Sequence, residues 1–173
     1  NEPNGNVTWN KQIKPYAKTI VKTIRKHSKN AVIVIGTPTW SQDVDVVAQS
    51  PLKGKNLMYA LHFYAGTHKK WNQEKLKTAH KKGLPVMVTE FSICDASGNG
   101  ALDKASGNQW LRLLDRYNIS YTAWSLCNKN ESSALIASTC SKTSGWTNGD
   151  LSAAGKWYFN KTNTLWKRDD EAP

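Results

Sequence analysis

No apolar run in these 173 residues approaches the ~20 that a membrane-spanning helix needs, which excludes a spanning segment. Nothing at the start has the basic-then-apolar pattern of a signal peptide. A chain that opens on Asn1-Glu2-Pro3, with no Met, reads as processed or excised, which leaves room for a leader ahead of Asn1. Cysteine is scarce: Cys94, Cys127 and Cys140 are an odd number, so a fully paired disulfide framework is excluded. Their spacing has no metal signature, and a Cys127–Cys140 loop disulfide stays open. Zinc-finger, RNA-recognition and Walker patterns are absent.

Acidic residues are also few, 13 against 24 Lys and Arg, for a net charge of +11. That balance raises the question of an acidic partner such as nucleic acid. Its distribution argues against one. Between Trp9 and Lys29, Ile13, Tyr16, Ala17, Ile20, Val21 and Ile24 recur at helical spacing, while Lys11, Lys14, Lys18, Lys22 and Lys29 lie mostly opposite. This is the solvated outer face of a packed helix. No nucleic-acid or membrane partner is expected. Eight tryptophans, spaced glycines and the apolar content point to a folded globular domain with a sizeable core. Asn6, Asn118, Asn130 and Asn160 sit in N-x-S/T triplets, which matter only in a eukaryotic secretory pathway.

The order along the chain alternates helix and strand. After the first helix, Ala31–Gly36 is a continuous apolar run of the kind buried on both faces of a parallel sheet. Trp40–Gln49 reads as a short helix or turn, Asn56–His62 as a strand, and Glu74–Lys82 as a basic helix ended by Gly83. Strand Leu84–Glu90, a polar loop at Ala96–Gly100, helix Leu102–Tyr117 and strand Ile119–Ser125 follow. A long polar loop leads to a last helix over Ala153–Trp166; residues 167–173 read as a charged, mobile tail or the start of a linker, leaving 1–166 as the domain. Repeated β-then-α units imply parallel strands with right-handed crossovers, hence a doubly wound sheet or a barrel. In both, ligands bind at the C-terminal strand ends. Glu2, Trp40, His62, Tyr64, Glu90 and Trp124 all fall there.

Two carboxylates facing each other are what glycosidic cleavage needs, one to protonate the leaving oxygen and one to attack or to activate water. Glu90 closes an apolar strand, where an ionisable group usually has a job or a partner. Pro3 biases Glu2 toward extended geometry, and Asn1 beside it can donate to a substrate hydroxyl. His62 and Tyr64 stand two apart, so on a continuing strand they share a side and can hold Glu90 ionised. Trp124 is a flat surface on which a sugar ring can stack, and Trp40, Trp71 and Trp146 lie near loops and could line a cleft or simply pack.

Six stretches carry more together than singly: Asn1-Glu2-Pro3, Gly36-Thr-Pro-Thr-Trp40-Ser-Gln-Asp43, Ala60-Leu-His62-Phe-Tyr64-Ala-Gly-Thr-His68, Val88-Thr-Glu90-Phe, Asp95-Ala-Ser-Gly-Asn-Gly100 and Trp124-Ser-Leu-Cys-Asn-Lys129-Asn-Glu131. In that order they closely resemble the glycoside hydrolase family 5 cellulases, in particular bacterial endo-β-1,4-glucanases. The resemblance implies an α/β fold, the C-terminal half of a (β/α)8 TIM barrel, from the end of strand 4 through helix 8. It implies a secreted, retaining endoglucanase acting on β-glucan or cello-oligosaccharides, with no metal or organic cofactor. Glu2 would be the acid/base and Glu90 the nucleophile, about 5–5.5 Å apart. Asn1 would bind the sugar 2-hydroxyl, and His62 and Tyr64 would position the reacting groups. Trp124 would floor the cleavage point, Lys129 and Glu131 would reach the next glucose, and Ala96 and Trp40 would line the cleft peripherally.

A full barrel takes about 250 residues, so three explanations compete: an N-terminal half-barrel on a separate or cleaved chain, pairing with a second copy, or a truncation. An isolated half is expected to be poorly active. The alternatives are a mannanase or xylanase of the same family, a non-catalytic carbohydrate-binding fragment, and a basic α/β domain that binds nucleic acid with a steep salt slope. Hydrolysis with a Glu90→Gln control separates an active hydrolase from the non-catalytic fragment.

Overall fold

The structure, a computed structural model, describes the backbone of residues 1–169 and the side chains of residues 1–163. An apolar β-strand followed by an amphipathic helix repeats along it, and the result is a four-stranded, all-parallel sheet. The strands are β1 (Ile33–Ile35), β2 (Leu57–Tyr64), β3 (Val86–Ser92) and β4 (Tyr121–Ala123), and they lie side by side in chain order. A doubly wound sheet reverses its order partway. None of these strands does, and the sequential order is that of a barrel segment.

The helices are α1 (Lys14–His27), α2 (Val44–Val47), α3 (Lys70–Lys81), α4 (Lys104–Arg116) and α5 (Ala153–Asp169). A wider π turn, Trp9–Ile13, leads into α1. Pro15 near its start has no N–H to give to the carbonyl of Lys11, so the chain ahead of it winds more loosely. Gly83 follows α3 at φ +72°, the left-handed residue that ends the helix. Asp103 caps α4 by accepting from the Ser106 N–H, and Lys69 pairs with the same carboxylate. The expected mobile tail is helical through Asp169 as part of α5, and its remainder lies outside the described residues.

The core lies between the sheet and α3 and α4. Phe63 is sandwiched between Phe91 and Trp110, with ring centroids 5.1 and 4.0 Å away. The Trp110 indole N–H donates to the His68 carbonyl at 2.8 Å, tying α4 to the turn after β2. Cys94, Cys127 and Cys140 are all free; burial, the largest influence, pushes the Cys94 thiol up. No helix among the described residues is long and apolar enough to cross a membrane.

The first strand departs from the sequence reading. Ala31–Gly36 looked buried on both faces, yet only Ile33–Ile35 pairs, and Val32 is 60% exposed. β1 has a neighbour on one side only. For the same reason the apolar face of α1 is only partly covered. Ile13 and Ala17 are buried, whereas Tyr16 is 68% exposed over an apolar groove of about 330 Å³ shared with Ile20, Val21, Ile24 and Ile33. The lysines of α1 face solvent as expected, apart from Lys14, which donates to the Ser50 carbonyl.

Candidate active site

Strict alternation along β3 would put Glu90 on the same face as Val86 and Val88, inside the core. The pairing shows why it is not there. Leu61 pairs with Val88, but His62 pairs with Glu90, and on the other edge Val88 pairs with Tyr121 while Phe91 pairs with Ala123. One extra residue, Thr89, is therefore bulged relative to both neighbouring strands. A bulge re-aims the side chains beyond it. Phe91 turns into the core beside Phe63, and Glu90 turns to the open face beside His62 and Tyr64.

Glu2 reaches the same place from a loop laid across the end of β1. Gly36 allows that approach: a Cβ there would stand 2.7 Å from the Asn1 carbonyl oxygen and 2.9 Å from Pro3 Cδ. The loop is also gripped by a tight turn at Pro38–Ser41. Trp40 N–H donates to the Pro3 carbonyl at 3.0 Å and Ser41 Oγ to the Asn1 carbonyl at 2.9 Å.

His62 stands between the carboxylates. Its Nδ1 shares a 2.7 Å hydrogen bond with Glu2 Oε1 and lies 3.7 Å from Glu90 Oε2, while Nε2 is held 2.7 Å from Thr89 Oγ1. Both ring nitrogens are engaged, so the ring cannot swing. Tyr64 Oη donates to Glu90 Oε1 at 2.8 Å. Burial first, and then the Glu90 carboxylate it bonds, push the Tyr64 hydroxyl far above its ordinary range. It therefore stays a proton donor to Glu90 at neutral pH. One ligand atom each from Glu2, His62 and Glu90 lies within 4.8 Å of the others, and among the described residues this is the trio spaced to hold a metal ion.

These groups line a cavity of about 480 Å³ together with Trp40, Ala96, Gln42 and His68. Glu2, Glu90, His62, Tyr64, Trp40 and Ala96 are thus brought together as the sequence suggested. Asn1 lies against the neighbouring groove beside Pro3 and Gly36. Trp124, 44% exposed, sits over a separate small pocket with Ala123 and Trp157, and its peptide bond to Ser125 is cis. Lys129 and Glu131 are neighbours on the exposed loop beyond it, 4.0 Å apart, and do not line the cavity. Trp71 stands on α3 edge-on to His68, and Trp146 donates to the Lys142 carbonyl in the loop before α5. Neither lines the cavity.

Sequence reasoning assigned no role to Gln42, His68 or Thr89. His68 follows Tyr64 by four residues, and a turn returns its ring so that Nδ1 accepts from the Tyr64 N–H at 2.7 Å. The turn residues Ala65-Gly66-Thr67 were the available signal. Burial, and then Lys75, lower the His68 pKa from 6.5 to about 4. The sign of the consequence is fixed, because the unfolded ring takes up a proton near pH 6.5 while the folded one refuses it until about pH 4. His68 therefore contributes stability above pH 6.5 that is lost as pH falls toward 4, up to about 3 kcal/mol. Urea unfolding at stepped pH is expected to show this slope, and His68→Gln to flatten it within that window.

The sequence profile of the family described as cellulase (glycosyl hydrolase family 5) matches residues 1–130. An endoglucanase of Clostridium saccharobutylicum is 46% identical over 155 residues, 90% of this chain and 35% of that protein. The chain spans about a third of the length of the curated relatives it matches. A solved structure from Cytophaga hutchinsonii superposes with a TM-score of 0.91 at 38% identity, covering 97% of this chain and 56% of that one. The catalytic domain of Thermobifida fusca endoglucanase Cel5A, solved with cellotetraose, gives 0.87 at 32% identity, covering 94% and 55%.

Proposed function

The chain belongs to glycosyl hydrolase family 5, and on that footing we propose that it is the Glu2- and Glu90-bearing half of a retaining endo-β-1,4-glucanase. The observation that carries the reading is the spacing of the trio. Oxygens of Glu2 and Glu90 lie within 4.8 Å of each other, close to the ~5–5.5 Å carboxyl separation of retaining enzymes and short of the ~6.5–9.5 Å that admits an inverting water. Cellotetraose bound to the Thermobifida relative supports a β-1,4-glucan substrate.

In the first step Glu2 protonates the leaving oxygen while Glu90 attacks the anomeric carbon, giving a glycosyl ester on Glu90. In the second, Glu2 takes a proton from water, which attacks the same carbon and releases Glu90. Tyr64 Oη steadies the Glu90 oxygen it bonds, and His62 keeps Glu2 on the leaving-group side. In this reading Trp124 floors the sugar at the cleavage point, Lys129 and Glu131 reach the next glucose from the loop beyond it, and Asn1 reaches the 2-hydroxyl.

The open edges of β1 and β4 and the uncovered apolar groove over α1 support a further proposal, that the working protein covers them with more barrel strands. An N-terminal half-barrel or a second copy would supply these. Secretion is proposed with it, because bacterial relatives are named endoglucanases and a glucan polymer has to be cut outside the cell.

The test is proton NMR of the first product from cellotetraose, using the chain alone and with an N-terminal half-barrel added. The β-anomer forming first is expected. An initial α-anomer rejects the retaining assignment, and absence of cleavage in both samples rejects the catalytic one. Gly36→Ala is expected to cut kcat/KM by about 100-fold, because displacing the Glu2 loop by an ångström misplaces the acid. Thermal melting should barely move, since the clash is confined to the lip of the sheet.

A further inference from the structure

Three consecutive non-glycine residues, Thr39, Trp40 and Ser41, have φ of 56°, 53° and 59°. The other two left-handed non-glycine residues among those described are isolated asparagines, Asn56 and Asn118, which tolerate the conformation. Thr, Trp and Ser do not favour it, and β-branched Thr favours it least. Such a run persists only where its surroundings over-determine it.

The pins lie on two sides. On one, the turn donates to the carbonyls of Asn1 and Pro3, the residues that flank Glu2. On the other, Thr39 Oγ1 donates to Asp43 Oδ2 at 2.6 Å, and Lys75 Nζ holds Asp43 Oδ1 at 2.6 Å. The Asp43 and Lys75 side chains are both largely buried. Lys75 Nζ also lies 4.9 Å from the Trp71 ring centroid, anchored to α3. A chain of contacts thus runs from α3 through Lys75, Asp43 and Thr39 to the backbone on either side of Glu2.

We propose that Asp43, braced by Lys75, is a positioning residue. It holds the left-handed turn, and through the turn it sets both the Trp40 indole at the cavity lip and the Glu2 carboxyl. The role assigned to Glu2 rests on the function proposed above; the mechanical coupling does not.

The test therefore reads structure and needs no turnover. Amide hydrogen exchange and side-chain carboxyl carbon resonances are followed by NMR in the full chain, in Asp43→Ala and in Thr39→Val, which removes only the hydroxyl. Asp43→Ala is expected to speed exchange of the Trp40 amide by about tenfold or more and to displace the Glu2 carboxyl resonance. The Val88 amide and the Glu131 resonance should stay in place. Thr39→Val should give the same pattern more weakly. Adding Thr39→Gly to Asp43→Ala relieves the strain, because glycine takes positive φ freely, and should restore most of the Trp40 protection. An unchanged Trp40 amide in Asp43→Ala overturns the proposal. So does acceleration spread evenly over the sheet, or an unmoved Glu2 resonance. If no glucan is cleaved by the wild-type chain, alone or with an N-terminal half-barrel added, the hydrolase reading falls while these measurements still decide the coupling.

Discussion

Glu90→Gln is expected to lower hydrolysis of carboxymethyl cellulose by about 10⁴-fold or more, because an amide cannot form the glycosyl ester on which the second step depends. The substitution keeps the shape of the side chain and can still accept from Tyr64 Oη, so the fold and oligosaccharide binding should persist. Glu2→Ala should behave differently. Loss of the acid costs roughly 10²–10⁴-fold on cello-oligosaccharides, whose leaving hydroxyl needs a proton. It should cost far less on aryl cellobiosides with acidic phenols, where departure needs no help. Reducing-sugar release on both substrate types checks the pair. Equal loss on both in Glu2→Ala would remove the acid role from Glu2, and residual turnover of a few per cent in Glu90→Gln would remove the nucleophile role from Glu90.

The largest stability effect is expected at Trp110. Its indole is fully buried against Phe63, and its N–H is spent on the His68 carbonyl. Trp110→Ala should cost about 3–5 kcal/mol, from lost apolar burial and the cavity left between α4 and β2. The orphaned His68 carbonyl adds to this if water does not reach it. Thermal melting should fall by roughly 10 °C or more for a chain of this size. Trp110→Phe keeps the stack and loses the hydrogen bond, so it should fall between wild type and alanine. If alanine and phenylalanine are equally mild, the Phe63–Trp110 stack is not the centre of the core.

Both expectations use features unequally visible in the sequence. The parallel α/β order was legible because strands and helices differ in apolar period, and Gly83 announced the end of α3. Boundaries shifted where tertiary contact overrode local pattern. β2 runs two residues past His62 and includes Tyr64, and α3 begins at Lys70, four residues earlier than its periodicity suggested. Glu90 was found because it closes an apolar strand, whereas Glu2, which the structure places on a loop, was found through the Asn-Glu-Pro stretch and the family resemblance it belongs to. What brings Glu90 to the open face was invisible, since nothing in Val-Thr-Glu-Phe announces a bulge and strict alternation points Glu90 the wrong way. The left-handed turn was equally hidden, because Thr-Trp-Ser carries none of the glycines that normally mark one. Its conformation is imposed by Asn1, Pro3 and Asp43, residues brought together only in the folded chain. The tryptophans divided for a similar reason: periodicity cannot tell Trp110, sealed in the core, from Trp40, half exposed at the cavity lip.

The strand order bears on how the chain is made. Each of β2, β3 and β4 hydrogen-bonds to the strand translated just before it. As the polypeptide leaves the ribosome, every new strand therefore finds its partner already present, and none waits for sequence still to come. Apart from the outer edge of β1, which stays open throughout, only the newest edge is unpaired at any moment, and the following helix arrives soon after to cover its outer face. A doubly wound sheet of the same strands would leave a central edge open while later segments were synthesised.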